Sequence, residues 1–488
     1  METTRTVDVA VIGGGIMGTS VIRELSRYAI SSLLIEKEAE VGWGTTKANS
    51  GIVHAGFHDK PGSNKAKYCV AGNALYPQLC EELDVNFRQN GIFMVARDEE
   101  EVAILEEYLR RGEENQVPEV RILSREEALE LEPNLSSNTK AALEAPSGGV
   151  VAPFELAAAL MENAIDNGAQ LLTEAAVQNI DWDGSWFTIT TSQGTISARY
   201  VVNAAGLFAD EIAKMIGDTS FVITPRKGEE YLMDKTAGSL VSHTIFPVPN
   251  KLTKGILVIP TVDGNLMIGP TGDNIELRDD LATTMDGFQR IFSGVASLVE
   301  GINPGKVIAP FAGVRAASDR GDFILESSPV NAHMIHVAGM ESPGLTAAPA
   351  IALDAVKLLQ DNGLALVPKD SFNPKRRPMV RFHTLSREEQ AELIAAEPLY
   401  GRMICRCETV TEAEIIDAIQ RGARTLDGVK FRVRAGAGRC QGGFCMPMVI
   451  QILARELGIS VQAVTKRGGQ TYQIKAKAKD YLVEEVVR

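Results

Sequence analysis

The sequence lacks several features that would tie it to particular classes of protein. Its 488 residues contain no run of about eighteen apolar residues, so no membrane-spanning helix is predicted. The N-terminal segment shows no signal peptide, because it runs straight into a strand and a glycine turn, and this favours a cytoplasmic protein. Basic residues are also fewer than acidic residues, with 49 Lys and Arg against 63 Asp and Glu. The resulting net charge of −14 argues against nucleic acid as a main partner.

Cysteine is scarce, and its distribution is uneven. Four of the six cysteines lie after residue 400, as the pairs Cys405 and Cys407, and Cys440 and Cys445. In a reducing compartment, clustered cysteines indicate metal or redox chemistry rather than disulfides. The remaining two, in the first hundred residues, are expected to be buried free thiols.

The N-terminal segment has the pattern of a dinucleotide site. Residues 7–12 predict a buried strand, Gly13, Gly15 and Gly18 give GxGxxG, and a second strand ends at Glu36. The first glycine allows a tight turn, the second lets the backbone approach a pyrophosphate, and the third lets helix and strand pack closely. The free N–H groups at the helix start face the phosphates. Glu36 can accept hydrogen bonds from ribose hydroxyls, so the segment predicts a bound dinucleotide.

Later segments resemble FAD-dependent oxidoreductases of the D-amino-acid-oxidase superfamily. They are GWGTTKANSGIVHAG (42–56), the helix–strand unit at 148–177 with YVVNAAGLFAD at 200–210, and HVAGMESPGLTAAPAIALDAVKLL at 336–359. The resemblance covers most of residues 1–365 and implies FAD rather than NAD. No cysteine or histidine stands in an obvious covalent-attachment motif near 336–346, so non-covalent FAD is expected.

The resemblance also implies a fold and a domain plan. The expected class is α/β, with a Rossmann-like FAD-binding domain of the D-amino-acid-oxidase and glutathione-reductase type, an inserted and mainly antiparallel β-sheet substrate domain, and a small helical C-terminal Fe–S domain. The FAD-binding domain is predicted from residues 1–80, 141–215 and 316–365, and the substrate domain from 81–140 and 216–315. A linker rich in proline and basic residues is predicted at 366–403, followed by the ferredoxin-like domain at 404–488.

The matching motif positions give the expected FAD-binding residues. Small residues after a strand let the backbone approach the dinucleotide, and the helix after 336–346 would direct its positive end at the flavin's N1–C2=O edge. The predicted set is Gly13, Gly15, Gly18, Glu36, Thr45, Thr46, Asn49, Ser50, Val177, Ala205, Gly206, Gly339, Gly344, Leu345 and Thr346.

Three residues are catalytic candidates. His54 lies where many members of the superfamily place a histidine near the flavin, and could accept a substrate hydroxyl proton; a structural histidine is the alternative. Arg315 resembles the substrate-anion arginine of the superfamily, and Arg320 resembles a second arginine that suits a phosphate. For Arg320, a surface ion pair with Asp319 or Asp322 is an equal alternative.

A further pair of basic residues, Arg226 and Lys227, precedes a predicted strand of the substrate domain. Both positions match a glycine-centred turn of the superfamily. They either line the substrate cavity or flank a turn.

The cysteine pairs, separated by 32 residues, resemble a bacterioferritin-associated-ferredoxin-like domain. Thr411 and Glu414 between them form a capping-box signature before a predicted helix. The resemblance implies that Cys405, Cys407, Cys440 and Cys445 bind a 2Fe–2S cluster through their thiolates. A four-cysteine zinc site is the competing interpretation, but it usually uses CxxC on both sides.

Together these parts resemble the family of A subunits of anaerobic glycerol-3-phosphate dehydrogenases. That implies a dehydrogenase of a CH–OH donor whose acceptor is neither NAD nor oxygen. The substrate phosphate would bind Arg315 and Arg320, and hydride would pass from C2 to flavin N5 with His54 taking the hydroxyl proton. Electrons would leave through the cluster to a partner flavoprotein or Fe–S subunit, which could hold the chain at the inner face of a membrane.

Three alternatives remain open from the sequence. Residues 49–73 resemble L-2-hydroxyglutarate dehydrogenases as closely, in which Arg315 would bind a carboxylate. Oxidation of an amine or imino acid is a second alternative. A non-enzymatic electron-transfer protein with a vestigial FAD domain is the third.

Overall fold

The computed structural model describes residues 5–249 and 255–476, which form two units. The first unit comprises the residues up to Ile35 together with Val41–Arg376. The second comprises Glu36–Glu40 together with the residues from Arg377 onward.

The strands of the described residues, in chain order, are β1 Arg5–Ile12, β2 Ser32–Ile35, β3 Ile52–Val53, β4 Phe87–Arg88, β5 Ile92–Ala96, β6 Arg121–Ser124, β7 Ala141–Ala145, β8 Gly149–Val151, β9 Gln170–Leu172, β10 Val177–Trp182, β11 Phe187–Thr191, β12 Gly194–Asn203, β13 Ile223–Met233, β14 Thr244–Pro247, β15 Leu257–Pro260, β16 Leu266–Gly269, β17 Asp273–Asn274, β18 Val307–Ser318, β19 Ile324–Ser327, β20 Met334–Ala338, β21 Met403–Cys405 and β22 Val410–Thr411. The α-helices are α1 Ile16–Leu25, α2 Asn64–Leu83, α3 Glu99–Glu114, α4 Arg125–Leu131, α5 Pro153–Asp166, α6 Ala209–Met215, α7 Met285–Ala296, α8 Gly344–Asp361, α9 Arg387–Ala396, α10 Glu412–Gln420, α11 Leu426–Val433 and α12 Met446–Leu457. Within the described ranges, no helix has both the length and the apolar character needed to cross a membrane.

The first sheet of the first unit is built around β1. Its strand order is β10–β11–β12–β1–β2–β9, with β20 paired to β12 and β19 to β20. β1 pairs in parallel with β12 and β2, so both of its faces must be covered. Accordingly, Val9 and Val11 pack in the core beneath α1, α5 and α8, while Ala10 and Ile12 pack in a core on the opposite face.

The carboxyl ends of four parallel strands meet at one edge of this sheet. Ile12 of β1 stands opposite Ile35 of β2 and Asn203 of β12, and Asn203 stands opposite His336 of β20. The loops that follow these strands therefore emerge side by side. In open α/β sheets, ligands bind at this edge.

The second sheet of the first unit is mainly antiparallel. Its order is β17–β13–β16–β15–β14–β5–β7–β6, with the long strand β18 paired to β13; only the β14–β5 pair is parallel. Its strands come from two stretches of chain, residues 92–145 and 223–318, which are separated in sequence by β8–β12. The two sheets and the helices confirm the predicted α/β class with an inserted antiparallel sheet.

The second unit is small and largely helical, as predicted. α10, α11 and α12 surround a core that includes Ile415, Val429 and Leu453. The predicted capping box is present: Thr411 Oγ1 accepts from the N–H of Glu414, whose side chain accepts from the N–H of Thr411. β21 and α12 each adjoin one of the cysteine pairs, so the fold brings sequence-distant thiols into one region.

Candidate active site

A cavity of about 240 Å³ lies in the first unit, between the carboxyl edge of the first sheet and strands β13 and β18 of the second. Its lining comes from seven stretches of chain: residues 15–17, 45–65, 204–206, 226–230, 246–271, 313–316 and 340–345. Ten residues of the predicted set line it: Gly15, Thr45, Thr46, Asn49, Ser50, His54, Gly206, Arg315, Gly344 and Leu345. Most of the predicted cofactor and catalytic positions therefore converge.

The turn after β1 has the shape that a dinucleotide phosphate requires. Gly13 has φ of +106°, and a Cβ there would overlap the carbonyl oxygen of Ala204. A Cβ at Gly18 would overlap the carbonyl oxygen of Gly13, so helix and strand meet backbone to backbone. Thr46 Oγ1 accepts from the N–H of Ile16, which ties the following loop to the helix start. The glycines leave the backbone of this turn open to a ligand, which fits the pyrophosphate of FAD.

Seven of the predicted cofactor residues are described but do not line the cavity. Glu36 directly follows β2, is buried, and accepts a hydrogen bond of 2.8 Å at Oε1 from the N–H of Glu38. Val177 begins β10. The others are Gly13, Gly18, Ala205, Gly339 and Thr346. Their roles in FAD binding remain predictions.

His54 is buried and held from several sides. Its N–H donates to Thr346 Oγ1 at 2.8 Å, and its carbonyl accepts from Asn73 Nδ2 at 3.0 Å. Ser342 Oγ lies 3.2 Å from His54 Nε2, within hydrogen-bond distance. The ring therefore has a fixed position in the cavity wall, and Thr346 and Ser342 are the positioning residues.

Two arginines lie side by side in the cavity wall, one on β13 and one on β18. The antiparallel register of β13 and β18 places Arg226 directly opposite Arg315, and both line the cavity. Arg315 Nη2 donates to the carbonyl of Thr271 at 3.0 Å. A Cβ at Gly228 would collide with that Nη2, so the glycine makes room for the guanidinium. Removal from water lowers the pKa of Arg315, and Arg226 adds to the effect.

Arg320 is not among the residues that line the cavity, and its role in anion binding stays a prediction. β18 ends at Ser318, so Arg320 lies in the turn beyond the sheet. Its Nη1 is 2.8 Å from Glu326 Oε1, and its Nη2 donates to the carbonyl of Ser220. The guanidinium is thus in a surface ion pair, with a partner other than the two aspartates considered from the sequence. Arg226 supplies the second cavity arginine.

Lys227 points to the opposite face of β13. Its Nζ is 2.8 Å from Asp280 Oδ2 and donates to the carbonyl of Ala282. Alternation along the strand thus separates the two basic residues that the sequence left together: Arg226 faces the cavity and Lys227 does not.

Glu230 is a cavity residue that the sequence prediction missed. It is 3 % exposed, and its Oε1 accepts a 2.5 Å hydrogen bond from Ser50. Burial raises its pKa to about 7, although Ser50 and Arg315 oppose the shift. The period of two along β13 places Arg226, Gly228 and Glu230 on one face, and this signal could have identified it.

Lys65 and Glu341 also line the cavity without having been predicted. Lys65 Nζ lies 2.7 Å from Glu341 Oε1. They belong to α2 and to the loop before α8, which are distant in sequence, so no local pattern links them.

The predicted cluster ligands lie together in the second unit. Cys407 Sγ is 3.9 Å from Cys405 Sγ and 3.8 Å from Cys440 Sγ. A hydrogen bond between the thiols of Cys405 and Cys445, together with backbone N–H groups, lowers the pKa of Cys405. Across the described ranges, no three His, Cys, Asp or Glu side chains are grouped to hold one metal ion. A two-iron cluster needs two thiolates for each iron, and these four cysteines fit it.

Comparison with known proteins matches both units. The family model described as FAD dependent oxidoreductase covers residues 8–358, and the BFD-like 2Fe–2S binding domain covers residues 403–455. A glycerol 3-phosphate dehydrogenase of Caloramator mitchellensis is 46% identical over 94% of this chain and 96% of its own length. A glycerol 3-phosphate oxidase of Mycoplasma genitalium is 31% identical over 76% of this chain and 98% of its own. The FAD-bound L-alpha-glycerophosphate oxidase structure from Mycoplasma pneumoniae has a TM-score of 0.74 and 29% identity, covering 77% of this chain and all of that one.

Proposed function

The chain belongs to the family of FAD-dependent oxidoreductases, and on this premise we propose that it is a dehydrogenase that converts glycerol 3-phosphate to dihydroxyacetone phosphate. The observation that carries the proposal is the pairing of Arg226 with Arg315 in a cavity that also contains His54. The relative from Caloramator mitchellensis, which matches across both units, supports the same substrate.

The two arginines form the phosphate site. Facing guanidinium groups repel each other, and a doubly charged anion between them relieves the repulsion while accepting several charge-assisted hydrogen bonds. Gly228 keeps the space beside Arg315 open. A single arginine would suffice for a carboxylate, so this arrangement favours phosphate over a 2-hydroxy acid.

His54 is the proton acceptor for the C2 hydroxyl. FAD, when bound, supplies the acceptor for the hydride that leaves C2. His54 takes the hydroxyl proton at Nε2, with Ser342 within hydrogen-bond distance of that atom. Thr346 and Asn73 fix the backbone on either side of the ring, so the nitrogen is positioned before substrate arrives.

The second unit makes a dehydrogenase more plausible than an oxidase. Its four cysteines fit a 2Fe–2S cluster, which supplies one-electron chemistry when bound. The Mycoplasma genitalium oxidase matches 76% of this chain, whereas the Caloramator mitchellensis dehydrogenase matches 94%. A protein that accepts single electrons is therefore the proposed partner, with FAD bound non-covalently and the chain in the cytoplasm.

Anaerobic stopped-flow mixing tests the proposal. Glycerol 3-phosphate at millimolar concentration should bleach the flavin absorption of the purified holoenzyme within a catalytic cycle. L-2-Hydroxyglutarate and L-proline serve as the matched panel and should leave the absorption unchanged on that timescale. Bleaching by either of them in preference to glycerol 3-phosphate would overturn the proposal, and bound FAD that no donor reduces would favour an electron-transfer protein.

A further inference from the structure

Glu230 has an oxygen that the protein leaves without a partner. The side chain is 3 % exposed, and Ser50 donates to Oε1. Its other oxygen, Oε2, is buried and has no hydrogen-bond partner among the described residues. The residue lines the cavity, so a donor on a bound ligand can approach it from there.

An unsatisfied carboxylate oxygen in a buried position is costly. Burial without a compensating hydrogen bond disfavours the charged form, and native proteins rarely leave such an atom unpaired. The raised pKa of Glu230 has the same cause. A donor from a bound ligand would remove this cost, which makes Glu230 a ligand-binding group rather than a structural one.

The position of Glu230 relative to the arginines matches a short polyol phosphate. Arg226, Gly228 and Glu230 follow one another on one face of β13, and the guanidinium of Arg315 lies beside Gly228. Successive residues on one strand face are about 7 Å apart. Five bonds separate the phosphorus of glycerol 3-phosphate from its terminal hydroxyl oxygen, and they span about 6 Å when extended.

We propose that Glu230, supported by Ser50, is the subsite for the terminal C1 hydroxyl of the substrate. This inference rests on the proposed function and assigns the second end of the same ligand. The phosphate binds Arg226 and Arg315, and the C1 hydroxyl donates to Oε2 of Glu230. Holding both ends fixes C2 between them, so Glu230 is a specificity-determining residue.

The same carboxylate disfavours ligands that end in a carboxylate. Glycerate 3-phosphate differs from glycerol 3-phosphate in carrying a carboxylate where the substrate has its hydroxymethyl group. Burial raises the pKa of Glu230 to about 7, so above that pH its side chain is ionised and two carboxylates at hydrogen-bond distance repel each other strongly, because water cannot screen them. Glu230 therefore separates polyol phosphates from phosphorylated acids.

Ligand binding to the holoenzyme tests the assignment. Glycerate 3-phosphate binding is read from the perturbation of the flavin spectrum, and glycerol 3-phosphate from the concentration dependence of anaerobic flavin reduction. In Glu230→Gln the amide can donate to a carboxylate, so glycerate 3-phosphate should bind about tenfold more tightly. The concentration of glycerol 3-phosphate that gives half-maximal flavin reduction should rise about tenfold. Both changes have the size expected for one charge-assisted hydrogen bond. Glu230→Asp keeps the charge but retracts it, so it should weaken glycerol 3-phosphate without improving glycerate 3-phosphate.

Glu229→Gln is the matched control. Glu229 is the neighbouring buried carboxylate on the opposite face of β13, and it bonds Thr284 rather than the cavity. It should leave the ratio of the two affinities unchanged. If Glu230→Gln weakens the binding of both ligands equally, or changes the ratio of their affinities less than twofold, Glu230 is not the subsite for the C1 hydroxyl. That result would leave the proposed oxidation of glycerol 3-phosphate by the wild type unaffected. If the wild-type flavin is not reduced by glycerol 3-phosphate, the proposed function itself fails.

Discussion

Two arginines five residues apart in sequence have different environments. Arg315 lies on β18 and lines the cavity, whereas Arg320 is in the turn beyond that strand and is paired with Glu326. Spacing in the sequence does not show where β18 ends, so the anion site could be predicted only in part. Arg226 comes from a strand almost ninety residues earlier, and only the register of β13 and β18 brings it opposite Arg315.

Replacing each of these residues by alanine should separate the two roles. Arg226→Ala removes one of two phosphate ligands, so the KM for glycerol 3-phosphate should rise about 10²-fold, as for loss of a buried charge-assisted contact. Arg320→Ala removes a surface ion pair and should leave KM within twofold. Steady-state kinetics with an artificial electron acceptor measures both. An equal increase in KM for the two substitutions would indicate that Arg320 also binds the substrate phosphate.

At the scale of elements, the β1–turn–α1 segment follows almost directly from the sequence. GxGxxG sits between a strand and a helix, and the structure has Gly13 at positive φ and α1 beginning at Ile16. This pattern can be recognised in the sequence because the contacts that require glycine are made within a short segment of chain. The face of β13 that lines the cavity could not be predicted from the sequence. The strand contains two adjacent charged pairs, Arg226 with Lys227 and Glu229 with Glu230, and the sequence does not show which member of each pair faces the cavity.

Alanine substitution at two glycines of similar φ should show the importance of the turn. Gly184 has φ of +103° and open space around its Cβ position, so Gly184→Ala should cost only about 1 kcal/mol of backbone strain. Gly13→Ala adds the overlap with the Ala204 carbonyl and should lower the free energy of unfolding several-fold more, with loss of bound FAD. Chemical unfolding and flavin content of the purified variants measure this. Full flavin occupancy in Gly13→Ala would contradict it.

At the scale of the whole molecule, two cofactor-binding units share one chain. The resemblance carried by the CxC and Cx4C motifs predicted which four thiols come together, and each pair lies in a short local segment next to β21 or α12. The assignment of Glu36–Glu40 to the second unit could not be predicted. It depends on Glu40, which accepts from the N–H of Arg424 and lies 3.2 Å from Arg432, nearly four hundred residues away.

Removing one predicted cluster ligand should separate substrate oxidation from electron transfer. Cys440→Ser should abolish the cluster's electron paramagnetic resonance signal and transfer to a one-electron protein acceptor, while glycerol 3-phosphate still bleaches the flavin. Cys80→Ala is the control, because Cys80 is a buried thiol of the first unit whose pKa is raised by burial to about 12. It should keep the iron content of the wild type. Unchanged electron transfer in Cys440→Ser would show that the four-cysteine motif is not on the electron path.

The facing arginines of β13 and β18 have a consequence for the lifetime of the protein. Like charges placed directly opposite across a sheet destabilise it, and a bound anion reverses that penalty. Whatever binds only the folded chain raises its stability with concentration. If the pair is the phosphate site proposed above, the free energy of unfolding rises with the concentration of the anionic substrate. A cell short of the anionic substrate would carry more of the easily unfolded form and lose it faster to proteolysis, so the amount of protein would follow the supply of what it consumes.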